Sequence, residues 1–155
     1  MKKKIPSEKI PPVLTGVSGE YFVAAELSRR GYIASITLRN TKGIDILASY
    51  QDASKSVGIQ VKTNHGKRKA WVLNKKVEDY FEKGLFYVFV NLKGRDERPD
   101  FYVVPSEVVS NFVREDHKKW LETPGKRGQE HKDNPMRMFK DEDDKYLEGW
   151  DKLGL

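Results

Sequence analysis

The stretch at residues 43–63, GIDILASYQDASKSVGIQVKT, decides how this chain is read. Two short apolar runs, 44–50 and 57–62, flank the polar turn QDASKS, which is the pattern of a β-hairpin. Side chains alternate between the two faces of a strand, so placing Ile59 and Val61 in a core puts Gln60 and Lys62 together on the other face. Asp45 follows the same rule between Ile44 and Ile46. If the strands pair, a carboxylate, an amide and an ammonium converge on one patch. The competing reading makes these three the solvent-facing positions of a half-exposed antiparallel sheet.

Upstream, Gly16-Val17-Ser18-Gly19-Glu20 opens an amphipathic helix expected over residues 17–30, with Val17, Tyr21, Ala24, Ala25 and Ser28 at the helical period and Gly31 as its stop. Glu20 lies in the first turn, where the helix dipole favours a carboxylate, and the two glycines let the backbone come close to a neighbour. Residues 32–38 read as a first strand and residues 39–43 as a polar turn, in which Arg39 is a candidate phosphate contact. After the Gln-x-Lys strand come a basic loop with Lys67, Arg68 and Lys69, an apolar piece at 71–73, and a helix expected from Asn74 as N-cap to Lys83. LFYVFVNL at 85–92 and DFYVVP at 100–105 are nearly continuous apolar runs, as in strands buried on both faces. The order α-β-β-β-α-β-β predicts an α/β fold with a mixed central sheet flanked by helices. Ser106 is expected to cap a helix to about Glu122, packed through Val108, Val109, Phe112, Val113 and Trp120. Residues 123–135 read as a loop, and 141–153 as a last helix whose acidic DEDD suits a helix N-terminus more than a metal cluster.

The order helix acid, strand Asp, then Gln-x-Lys resembles the PD-(D/E)XK nuclease superfamily, which includes type II restriction enzymes, archaeal Holliday-junction resolvases and some homing endonucleases. The resemblance spans roughly residues 16–105 and rests on Glu20, Asp45 and Gln60-Val61-Lys62. It implies a restriction-endonuclease-like αβββαβ core with extra C-terminal helices, and a metal-dependent nuclease acting on DNA. Mg²⁺ or Mn²⁺ would be held by Asp45, Glu20, Gln60 and the Val61 carbonyl, with Lys62 acting on the scissile phosphate beside them. Ile44 stands where the motif has Pro, and Gln60 where an acid is usual. An amide oxygen ligates Mg²⁺ with less charge, which leaves a second reading open: a non-catalytic DNA-binding or assembly protein that keeps the fold.

The chain's 155 residues are expected to form one domain, with a basic arm at 1–15, the nuclease-like core at 16–122 and a C-terminal loop and helix at 123–155. That size leaves room for a homodimer interface. The net charge of +6 is uneven: residues 1–100 carry nineteen basic against eleven acidic side chains, residues 101–155 ten against twelve. The basic half is the half with the candidate site, as expected of a phosphate-backbone binder, with Lys67, Arg68, Lys69 and Arg39 as its DNA contacts. The absence of cysteine excludes disulfides and thiolate metal sites. His65, His117 and His131 are too scattered for a metal triad, and no phosphate-binding P-loop occurs. With neither a membrane-length apolar run nor a signal-peptide core, the expected location is the cytoplasm, away from membranes.

Overall fold

The computed structural model describes residues 10–38 and 43–155. In chain order the elements are α1 (Pro12–Arg29), β1 (Ile33–Ile36), β2 (Ile46–Ser49), β3 (Ser56–Asn64), β4 (Ala70–Asn74), β5 (Leu85–Asn91), β6 (Asp100–Pro105), α2 (Ser106–Glu122) and β7 (Met136–Lys140). Five strands make a mixed sheet in the order β1-β2-β3-β5-β6, in which only β3 and β5 are parallel. Every residue of β5 is buried, as its unbroken apolar run requires. β3 instead buries Val57, Ile59 and Val61 and leaves Gln60 and Lys62 half-buried on the opposite face.

That alternation divides the core in two. On one face Val57, Ile59 and Val61 pack with Val23 and Leu27 of α1 and with Phe101, Trp150 and Leu153. On the other, Tyr87, Phe89, Tyr102 and Val104 meet Val109 and Val113 of α2 and the rings of Trp71 and Phe139. Among the described residues no helix is long and apolar enough to cross a membrane.

Several element expectations are corrected. α1 begins at Pro12 with proline in its first turn, where the missing N–H and fixed φ cost nothing, so residues 12–15 of the expected arm are helical. Residues 1–9 of the arm, and with them Lys2, Lys3, Lys4 and Lys9, lie outside the described residues. The buried stripe of α1 is Thr15, Gly19, Val23, Glu26 and Leu27, while Tyr21 is 65% exposed. Glu26 is buried because Arg30 and Arg98 meet it; burial pushes its carboxyl up, and those guanidiniums more than offset this, holding it below its ordinary value.

The helix expected at 74–83 is a single 3-10 turn, Lys75–Asp79, although Asn74 does cap it by accepting from the Lys76 N–H at 3.1 Å. Only Val77 in that turn is buried, so nothing holds a second turn down. β4, the apolar piece, pairs antiparallel with β7 in a separate two-stranded sheet. The C-terminal helix is likewise absent: β7 gives way to turns and a 3-10 turn at Trp150–Leu153. The DEDD residues serve those turns, Asp141 accepting from the Lys145 and Tyr146 N–H groups at 2.9 Å and Asp144 from the Tyr102 hydroxyl at 2.9 Å. This tail lies along the free edge of β6, where the Val103 N–H donates to the Tyr146 carbonyl and the Glu148 N–H to that of Phe101. An edge strand is thereby covered. Ser106 opens α2 but does not cap it; its hydroxyl exchanges hydrogen bonds with the Glu82 backbone at 2.9 and 3.0 Å. Trp120 leaves the packing stripe to stack on the His131 ring at 4.2 Å.

Candidate active site

β2 and β3 part company at Asp45. Ile46 pairs with Ile59, the Asp45 N–H donates to the Ile59 carbonyl at 2.8 Å, and the next N–H of β3, that of Val61, donates to Asp45 Oδ2 at 2.7 Å. A side-chain oxygen thus takes the place of the carbonyl that β2 no longer supplies. The N–H and C=O of a strand residue point to the same edge, so the Val61 carbonyl also faces the gap beside Asp45. From β1's side Thr37 fixes this corner, its N–H donating to the Asp45 carbonyl at 2.9 Å and its hydroxyl to the Ile44 carbonyl at 2.6 Å.

Two cavities carry the expected site residues. One, of about 290 Å³, is lined by Gly16 and Glu20 of α1 together with Thr37 and Asp45. The other, of about 610 Å³, is lined by Gly43, Gln60, Lys62, Asn74, Lys76, Val77, Asp79, Tyr80 and Tyr87. Glu20 and Asp45 thus share one cavity and Gln60 and Lys62 the other, while the Asp45–Val61 bond ties the Asp45 side chain to the strand that carries Gln60 and Lys62. Among the described residues no group of three or more His, Asp or Glu side chains is placed to hold a metal ion, so any cation here would rely on amide, carbonyl or water oxygen as well.

Glu20 reaches its place because its neighbour has no side chain. A Cβ on Gly19 would fall on the Thr63 hydroxyl and lie 2.9 Å from Thr63 Cβ, so α1 sits closer to β3 than any other residue would allow. Gly16 meets nothing within 4 Å. The two glycines expected to admit a neighbour thus differ: one admits β3 and the other faces open cavity. Gly19→Ala is expected to lose about 1–3 kcal/mol to overpacking, more than the gain of up to about 1 kcal/mol in helix propensity. Gly16→Ala should be neutral or stabilising, and denaturant melts of the two variants check the contrast.

The basic loop is less free than its sequence suggests. Lys67 lies 3.7 Å from Glu97, and Lys69 bonds Asp144 at 2.7 Å, an ion pair that raises the lysine's pKa and lowers the aspartate's. Arg68 is exposed, and its side chain has no partner among the described residues. Arg39 lies outside the described residues. His65 is exposed.

Tyr80 and Tyr87 were not singled out from the sequence. Tyr87 pairs in register with Gln60 across the parallel β3–β5 junction, so the two share the cavity face. Period-two alternation within LFYVFV was visible, but which β5 residue meets Gln60 depends on a register set by a 20-residue crossover between the strands. Burial, then the nearby Tyr80 phenol and Asp45 carboxylate, push the Tyr87 hydroxyl up to about 12. It is a neutral donor throughout the physiological range.

No protein-family model matches the chain, and no curated protein matches it. Among solved structures it is similar to a bacterial homing endonuclease, I-Ssp6803I, with a TM-score of 0.53 and 14% identity over 90% of each chain. The fold is nuclease-like. At that identity the similarity concerns architecture alone, and in this chain that architecture is a five-stranded mixed sheet flanked by helices.

Proposed function

We propose that this chain is a metal-dependent nuclease acting on DNA, of the PD-(D/E)XK kind in its Gln-x-Lys form. The observation that carries the reading is the Asp45 carboxylate bonded to the Val61 N–H, between Gln60 and Lys62, on a cavity shared with Glu20. The donor set fits Mg²⁺ or Mn²⁺: Asp45, Glu20, the Gln60 amide and the Val61 carbonyl offer only hard oxygens, and Mg²⁺ is commonly held by one or two carboxylates with water completing its shell. Such an ion would lower the pKa of a bound water and neutralise charge on the phosphoryl oxygens. Asp45 uses Oδ2 on the Val61 N–H, which fixes the direction of its remaining oxygen. Lys62, on the cavity side of the same strand, brings an ammonium to the charge that develops on phosphate. Cutting both strands of a duplex takes two such sites, which a homodimer would supply.

Metal-dependent cleavage of linear, branched and single-stranded DNA, compared between wild type and Asp45→Ala, tests the reading. Cleavage should vanish in the variant, and calorimetry should show Mn²⁺ bound more tightly than Mg²⁺ by wild type and neither by Asp45→Asn. DNA binding by wild type with no cleavage even when Mg²⁺ or Mn²⁺ is supplied would instead favour a non-catalytic binding or assembly role, the reading that the neutral Gln60 keeps open.

The ion pairs of the basic loop set a limit on its grip. Removing one cation that neutralises a phosphate should flatten the slope of log K against log salt by roughly 0.9 on duplex DNA. Arg68→Ala alone is expected to give most of the change seen on replacing Lys67, Arg68 and Lys69 together, because Lys67 and Lys69 each face a carboxylate, Glu97 and Asp144, with which phosphate must compete. Titrations at several salt concentrations measure it, and equal contributions from all three would mean that both pairs open on binding.

A further inference from the structure

We propose that the larger cavity is a subsite for one unstacked nucleobase, walled by Tyr80 and Val77 and contacted at its floor by the Tyr87 hydroxyl. The inference rests on the nuclease reading for its DNA context, while the chemistry of the cavity stands on its own residues. Tyr87 is fully buried, and its ring stacks on Phe89 at 5.6 Å and 9°, which fixes where the hydroxyl points. That hydroxyl has no hydrogen-bond partner among the described residues. Buried polar groups are nearly always paired, so an orphan hydroxyl on a residue that lines a cavity marks where a ligand pressed into that cavity can complete the bond. Asn74 adds a second polar group: its carbonyl oxygen is committed to the Lys76 N–H, so its amide N–H groups are what it can offer.

The walls select the ligand class. Tyr80 is 40% exposed and lies across the backbone of Gly43, where a Cβ would come within 2.5 Å of the ring. Gly43, at φ +71°, is a position that L side chains rarely adopt, so a bare backbone under this ring is held by conformation as well as by space. A phenol ring and an apolar wall around a few convergent polar groups suit a flat heterocycle, whose face stacks on aromatics whatever the base. A bare phosphate would use Lys62 and Lys76 but leave the Tyr80 wall and the Tyr87 hydroxyl without a purpose. With both ammoniums at the same cavity, the nucleotide held here is one adjoining the phosphate that Lys62 addresses.

Calorimetric titration of the metal-free protein with deoxynucleoside monophosphates, deoxyribose 5-phosphate and inorganic phosphate decides this without cleavage. Nucleotides should bind at least about tenfold more tightly than the sugar phosphate, and Tyr80→Ala should remove that difference, in keeping with the stacking contribution of a single base. Tyr87→Phe should weaken nucleotide binding while its melting temperature stays equal to or above that of wild type, because the variant deletes an unpaired buried hydroxyl. Equal affinity for nucleotide and sugar phosphate, or a nucleotide preference that survives Tyr80→Ala, would overturn the subsite. Cleavage of DNA by a protein that binds nucleotide and sugar phosphate equally sinks the base subsite alone, whereas selective nucleotide binding without cleavage sinks the nuclease alone.

Discussion

Lys62→Ala is expected to lower DNA cleavage by about 10²–10³-fold, the usual cost of removing one group that stabilises transition-state charge, while the melting temperature moves by no more than a few degrees. The separation of the two effects follows from where Lys62 sits. It is half-buried, it lines the larger cavity, and among the described residues it forms no ion pair. Truncation therefore exposes no orphaned partner. Asp45→Ala is a less clean test, because it also strips the Val61 N–H of its acceptor, a loss worth about 1–3 kcal/mol if no water replaces it. Paired cleavage assays and thermal melts of Lys62→Ala measure both quantities on one preparation. A variant that unfolds early and loses activity in proportion would make Lys62 a structural residue.

The hairpin that orders Asp45, Gln60 and Lys62 was legible because alternation is a local rule, satisfied by each strand without reference to the rest of the chain. The buried runs that became β5 and β6 were legible for the same reason. One helix face was misread and one strand went unread where a charged residue points inward and a distant partner makes that tolerable. Glu26 occupies the buried stripe of α1 because Arg98, from the β5–β6 connection, reaches it. Arg137 is buried within β7, its guanidinium paired with Glu78 and donating to the Asn134 and Met136 carbonyls at 2.7 and 2.9 Å. In MRMFK that arginine breaks the apolar-polar alternation by which a strand is recognised. The candidate site divides along the same line. Asp45, Gln60 and Lys62 follow from alternation, whereas Tyr80 and Tyr87 join them only through the β3–β5 register and the close seat of Tyr80 on Gly43.

β7 carries the second large expected effect. Phe139 is fully buried, pairs in register with Trp71 of β4, and packs its ring on Phe89 at 4.5 Å and 10° and against Phe112 at 5.0 Å. Phe139→Ala should therefore cost about 3–5 kcal/mol, since neighbouring rings held by both sheets and by α2 can only partly close the space. For a chain of this length each kcal/mol corresponds to roughly 2–4 °C, so the melting temperature should fall by roughly 6–20 °C. The damage should be uneven. β4 leads directly into Asn74, Lys76, Val77 and Tyr80, which wall the larger cavity, while the Asp45–Val61 bond belongs to the other sheet. Hydrogen exchange in Phe139→Ala, well below its melting point, should accelerate at β4 before β3, and nucleotide binding should weaken before metal binding at Asp45 does. Were the C-terminal segment only a loop and a docked helix, Phe139→Ala would melt with wild type and exchange would not change at β4.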